Sequence, residues 1–179
     1  MEIHKGIAVS PGLAIAPAIV LDSEQFRIPR RSIEPEEVGA ELARFARAVE
    51  RAKEEVRDLR ARVARDIGEK LGAIFDVQDV LLTDDRLTEE VHELVEREHY
   101  TAEYAVSTVL RGYAKKFLKL PNRYMAERVA DVYDVEKRLL RNLIGAKRET
   151  LGRLTEPVIV LAHNLTPSQT ASLDRSKIL

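Results

Sequence analysis

The chain has 179 residues, enough for one domain or two small ones whose core needs no covalent staples. Hydrophobic residues make up 45% and charged residues 33%, which excludes a disordered chain, and 29 Lys+Arg against 30 Asp+Glu give no reason to expect nucleic acid or a membrane surface as partner. The absence of Cys excludes a disulfide framework, a thiolate metal site and a Cys nucleophile, and Met1-Glu2-Ile3-His4-Lys5 begins no signal peptide, so a soluble, cytoplasmic chain is expected.

Gly6-Ile7-Ala8-Val9, Leu13-Ala14-Ile15-Ala16 and Ala18-Ile19-Val20-Leu21 are apolar β-type runs broken by Ser10-Pro11-Gly12 and Pro17, and they predict short strands around a turn within residues 3–21. Pro35 after Glu34 marks a helix start, since proline at the first helical position loses no hydrogen bond. Val38, Leu42, Phe45, Val49, Ala52, Val56, Leu59 and Val63 then alternate in steps of four and three, one stripe that another helix must cover. A free-standing coiled coil would cover it; so would later helices of the same chain.

Asp66-Ile67-Gly68 interrupts the repeat, and Leu71, Ile74, Phe75, Gln78, Leu81 and Leu82 predict a second helix up to Thr83-Asp84-Asp85. On an unbroken helix Ile74 and Leu81, two turns apart, would share one side. Leu87, Val91 and Leu94 carry a third helix. Thr101 is the expected N-cap of a fourth, with Val106, Leu110, Tyr113 and Phe117, stopped by Leu120-Pro121-Asn122. A fifth is expected from near Arg123, through Val129, Val132, Leu139, Leu140 and Leu143, to Gly145. Pro157-Val158-Ile159-Val160-Leu161-Ala162 reads as a strand buried on both faces. The expected fold class is mainly α within α+β: antiparallel helical hairpins, four-helix-bundle-like, inserted into one discontinuous α/β unit formed by the two ends. The expected boundaries are 1–33, 34–146 and 147–179.

Charge is segregated: Asp76–Glu103 carries net −8 and Tyr104–Arg153 net +7. Two such helical segments could attract each other, or the acidic one could rim a docking face for a basic protein. Phosphate-loop, zincin and serine-elbow frames are absent. Of His4, His92, His99 and His163, His92 with Glu96 reads as a solvated pair on a helix. His163 stands in a strand-to-helix turn where Thr166 and Gln169 form a capping box around Pro167, with no second catalytic group beside it.

Gly6-Ile7-Ala8-Val9-Ser10-Pro11-Gly12-Leu13-Ala14, Ala73-Ile74-Phe75-Asp76 through Val80-Leu81-Leu82-Thr83-Asp84-Asp85, Glu127-Arg128-Val129-Ala130-Asp131-Val132 with Lys137-Arg138-Leu139-Leu140, and Asn164-Leu165-Thr166-Pro167-Ser168-Gln169-Thr170 together resemble the N-terminal region of the enzyme I family, the phosphoenolpyruvate-protein phosphotransferases of the bacterial sugar phosphotransferase system. The resemblance implies a helical subdomain that docks the histidine-containing phosphocarrier protein HPr, inserted into a swivelling α/β domain. It implies partner-binding roles for Glu69, Ala73, Ile74, Asp76, Val80, Leu81, Asp85, Leu87, Arg128 and Asp131, and includes Gln78, which stands where the family commonly has His. Lys70 and Arg86 stand where acids are frequent. Thr170 matches a hydroxyl close to the family's phosphohistidine. That histidine lies in a Gly-Gly-Arg-Thr-Ser-His type motif after a Lys-(Ile/Val)-Leu segment, and Lys177-Ile178-Leu179 are the last residues here, so the acceptor is expected beyond Leu179. No catalytic residue, metal ligand or cofactor is therefore expected in these 179 residues, and they are expected to be inactive alone. Magnesium, phosphoenolpyruvate and dimerisation are implied only for the barrel of the intact enzyme. A coiled-coil adaptor, and another phosphoenolpyruvate-utilising enzyme such as a pyruvate-phosphate dikinase relative, are the competing readings.

Overall fold

A computed structural model describes residues 11–21, 28–121, 125, 127–145, 156–162, 165, 167–174 and 176–179. In chain order these form β1 (Ala18–Leu21), a 3-10 turn (Pro35–Glu37), α1 (Val38–Asp66), α2 (Glu69–Gly72), a second 3-10 turn (Ala73–Phe75), α3 (Asp76–Thr83), α4 (Asp85–Glu98), α5 (Ala102–Lys119), α6 (Val129–Ile144), β2 (Ile159–Ala162) and α7 (Pro167–Ser172).

The start of the helical part is written in its first four residues. Pro35 needs no intrahelical partner, and the Glu37 carboxylate accepts the Glu34 N–H at 3.0 Å, satisfying a donor that the helix leaves over. Of the α1 stripe, Phe45, Val49, Ala52, Val56, Leu59 and Val63 are buried, and Val38 and Leu42 pack partly buried against the same core. The cover comes from within the chain, so the coiled-coil alternative falls. Asp76 meets Arg60 and His92 meets Phe45, which shows α3 and α4 descending along α1; Tyr113 of α5 reaches Glu90 of α4, and Glu136 of α6 reaches Ser107 of α5. The result is an antiparallel, four-helix-bundle-like arrangement, as expected.

The helix ends follow chemistry that the sequence disclosed only in part. Thr101 stands at the N-cap of α5, but its side chain makes no cap; instead the Glu41 carboxylate of α1 accepts the Ala102 N–H at 2.6 Å while also holding Arg44 at 2.7 Å. His99, at φ 52°, closes α4 in the left-handed conformation, and Gly145, at φ 74°, closes α6. The carbonyl of His99 accepts the Ile33 N–H at 2.8 Å, and the Thr101 N–H donates to the Arg31 carbonyl at 3.2 Å, tying the approach to α1 onto the α4–α5 corner. Arg30 also lies over the Tyr100 ring at 4.8 Å.

α6 is buried almost all round. Asp134 accepts from Gln78 of α3 at 3.3 Å, Glu136 accepts from Ser107 and Arg111 of α5 at 2.7 and 2.8 Å, and Arg138, 1% exposed, donates to Glu55 of α1 at 2.8 Å. Asn142 donates to the same Glu55 at 3.2 Å.

β1 and β2 pair in parallel, Ala18 opposite Ile159 through Leu21 opposite Ala162, so the two ends do share a sheet. Val158 also bridges in parallel to Ile178. Two expectations at the ends need correction. Residues 13–16 are not a strand: the ladder opens at the Pro17 carbonyl, which accepts the Ile159 N–H at 2.9 Å, and Pro17 has no N–H with which to carry it further back; residues 6–9 lie outside the described residues. The 157–162 run is not buried on both faces: Val158 is buried but Leu161 is half-exposed beside exposed Val20, as befits a narrow sheet with one open face among the described residues. Arg123, Thr166 and His163 also fall outside the described residues, while Pro167 does open α7.

The buried Arg138–Glu55 pair gives a direct test. Glu55→Ala removes the α1 carboxylate from a guanidinium shut off from water. Fully buried pairs broken this way cost about 3–5 kcal/mol, and the partial exposure of Glu55 reduces the expectation to about 2 kcal/mol, read as a lowered urea midpoint at unchanged slope.

Candidate functional site

The segment from Glu69 to Asp85 carries most of the residues that the resemblance singles out, and its geometry is set by α1. Gly68, at φ 125°, turns the chain after α1, a conformation open to glycine. Gly72 then lies so close to α1 that a Cβ there would stand 2.9 Å from the Ala64 Cβ and 3.2 Å from the Arg60 carbonyl oxygen. The tight 3-10 turn at Ala73–Phe75 follows directly. Gly72, Phe75, Gln78 and Leu81 are buried, recurring every three residues, with Leu82 buried beside the last, while Glu69, Ala73, Asp76 and Val80 are all exposed, at steps of four, three and four.

This corrects the expected pairing of Ile74 with Leu81. A continuous 3.6-residue helix would place them on one side, but the tight turn rephases the segment, leaving Ile74 36% exposed and Leu81 only 9% exposed within the core. Val80, at 66%, is the more prominent apolar side chain, and Leu71 at 44% extends the surface beyond the residues expected. Leu87, in the first turn of α4, is fully buried, and Gln78 and Asp131 are buried as well. With Leu81, these residues lie beneath the exposed face rather than on it. Asp85 is exposed at the start of α4, where Asp84 caps the helix by accepting the Arg86 N–H at 3.0 Å. Arg128 is half-buried and donates to Asp131 at 3.3 Å.

The electrostatics follow burial. Desolvation raises the Asp131 carboxyl above its ordinary value, opposed by hydrogen bonds from Arg128 and Gln78. On α5, burial and then the nearby Glu90 carboxylate push the Tyr113 phenol up to about 12. Glu69 and Asp76 both lean onto one α1 side chain: Arg60 Nε donates to Asp76 at 2.6 Å and Nη2 to Glu69 at 2.8 Å, and these acids hold the guanidinium pKa up. Arg57 stands 3.5 Å from Asp79.

Ion pairs run from the acidic stretch to α1, Asp76 to Arg60 and Asp79 to Arg57, and from Glu103 to Arg44. Much of the α4 charge, Glu89, Glu93, Glu96 and Glu98, faces outward. His92 rests edge-on against Phe45 with ring centroids 6.0 Å apart; the described interactions include no His92–Glu96 pair. Among the described residues no three His, Cys, Asp or Glu side chains gather as a metal site, and no helix is long and apolar enough to cross a membrane. Thr170 is exposed on α7. Sequence reasoning missed Arg60, Leu71 and Gly72. The glycine was the available signal, since one inside a helical pattern often marks a close backbone approach.

An antiparallel helical bundle joined to a parallel strand pair is the architecture of a known class. The chain matches the family described as PEP-utilising enzyme, N-terminal, over residues 5–128, and belongs to it. Within that class it is similar to phosphoenolpyruvate-protein phosphotransferases: 34% identical over 171 residues to that of Priestia megaterium, 36% over 173 residues to that of Geobacillus stearothermophilus and 34% over 175 residues to that of Bacillus subtilis, alignments covering 96%, 97% and 98% of this chain. The chain spans 30% of the length of each of these relatives. Two solved structures share the fold. An NMR solution structure of Enzyme I superposes with a TM-score of 0.80 at 34% identity, covering 95% of this chain and 68% of that one. The N-terminal domain of Enzyme 1 (Nitrogen) superposes with a TM-score of 0.71 at 30% identity, covering 94% and 68%.

The close approach at Gly72 can be tested directly. Gly72→Ala gains helix propensity of about 1 kcal/mol but drives a methyl into α1 backbone, so a net loss of about 1–2 kcal/mol is expected in thermal or urea unfolding. Adding Ala64→Gly should restore part of that loss, because it removes the Cβ that the new methyl meets.

Proposed function

We propose that this chain is the HPr-docking part of a cytoplasmic phosphoenolpyruvate-protein phosphotransferase, which passes a phosphoryl group from phosphoenolpyruvate through its own histidine to HPr. The observation that carries the reading is the exposed set Ala73 and Ile74 on the tight turn, Val80 on α3 and Leu71 on α2, flanked by Glu69, Asp76 and Asp85. An apolar centre within an acidic rim suits a basic protein: the rim steers its approach and the centre excludes water once it has docked.

Phosphoryl transfer between two histidines needs in-line approach, so the part played by these residues is orientation rather than bond-making. In this reading residues 34–146 form the docking subdomain, and 1–33 with 147–179 belong to the swivelling α/β domain that would present the phosphohistidine near Thr170. The acceptor histidine, and the barrel that binds phosphoenolpyruvate and magnesium and makes the dimer, belong to the longer protein. The similarity to phosphoenolpyruvate-protein phosphotransferases over nearly the whole chain supports this reading over a coiled-coil adaptor.

Two outcomes are expected. Ile74→Ala or Val80→Ala should weaken binding of HPr, titrated by calorimetry, by about 1–2 kcal/mol, whereas Asp85→Lys should mainly slow association and flatten its salt dependence, with helical circular dichroism retained throughout. Unchanged binding in all three folded variants would falsify the docking assignment. The 179-residue chain alone, incubated with labelled phosphoenolpyruvate and magnesium, should take no label; a base-stable phosphohistidine at His163 would overturn that expectation.

A further inference from the structure

Arg60 lies on α1, outside every residue the resemblance marks, yet it organises the face from below. Its guanidinium gathers two carboxylates seven positions apart in the sequence, Asp76 Oδ1 at 2.6 Å on Nε and Glu69 Oε1 at 2.8 Å on Nη2. Between those two acids run Gly72, Ala73 and Ile74, the tight turn pressed onto Ala64 and onto the carbonyl of Arg60 itself. A forked, planar cation can hold two carboxylates at once in fixed directions; a point charge on a flexible stem cannot. The same contact neutralises part of the rim, since two acids share one cation.

Resting on the docking reading above, we propose that Arg60 is a positioning and specificity residue of this face: it fixes the turn that carries Ile74 and compensates part of the charge of Glu69 and Asp76, which stay exposed, so that a basic partner is held by apolar fit rather than by charge alone. Two consequences separate in kinetics. Losing the cation leaves two carboxylates uncompensated and speeds encounter with a basic protein. Losing the fork frees the turn, so the docked complex dissociates faster.

Stopped-flow association of HPr with the wild-type chain, Arg60→Gln, Arg60→Lys and Ile74→Ala tests this. Arg60→Gln should raise the on-rate roughly threefold at low ionic strength with a steeper salt dependence, and raise the off-rate roughly threefold or more. Arg60→Lys should return the on-rate to the wild-type value while the off-rate stays high, a split that general destabilisation would not produce. In the free protein, hydrogen exchange at residues 72–76 should accelerate in both Arg60 variants while α4 keeps its protection. If Ile74→Ala weakens docking but both Arg60 variants keep wild-type rates and exchange, the Arg60 proposal falls and the docking reading stands. If the wild-type chain does not bind HPr, both fall together.

Discussion

The fold depends on placing one charged helix at the centre of an otherwise apolar bundle. α6 turns Asp134, Glu136 and Arg138 inward, and each finds its partner on a different neighbour: Gln78 of α3, Ser107 and Arg111 of α5, Glu55 of α1. Apolar side chains tolerate sliding by a turn, because one leucine fits where another did. A buried carboxylate or guanidinium does not, since any other register strands a charge away from water. The polar contacts therefore set the register that the hydrophobic stripe of α1 leaves loose, and α3 is held at a fixed height against α1 and α6.

That height is what turns α2 and α3 into a face. Arg57, Arg60 and the close approach at Gly72 fasten the segment along α1, while Gln78, inserted between α3 and α6, fastens its other side. With both flanks fixed, the chain between Glu69 and Val80 buries every third residue and presents what remains. Gln78 Nε2 reaches Asp134, whereas its Oε1 finds no partner among the described residues, so the amide serves as a donor to acids on α6. The exposed face of α2 and α3 is thus the outer side of an internal polar lock.

Much of this was legible in the sequence, and the failures have physical causes. The step-of-four-and-three stripe located α1 and its buried side because helix periodicity survives wherever one face meets a core. Gly145 and Pro35 marked ends correctly because their backbone restrictions are local. Ile74 and Leu81 were placed together because a uniform 3.6-residue period was assumed, and a three-residue turn in the middle shifts phase without leaving a compositional trace. Asp131 and Leu87 read as surface or partner residues, but burial is decided by which helices converge on them, which no local pattern encodes. The segregation of charge is legible in the sequence but its partners are not: Asp76 and Asp79 of the acidic stretch pair with α1, because α3 lies antiparallel along it.

The parallel pairing of β1 with β2 brings together two strands that have the entire bundle between them in the chain. For an unfolded chain, joining such distant points sacrifices a large amount of loop entropy, and four residue pairs return little against it. Once the helices have assembled from neighbouring hairpins, the two points are already held near each other and the remaining closure is small. The order of assembly is thereby biased: helices first by local contacts, the strand pair last, on a scaffold that has done the searching for it.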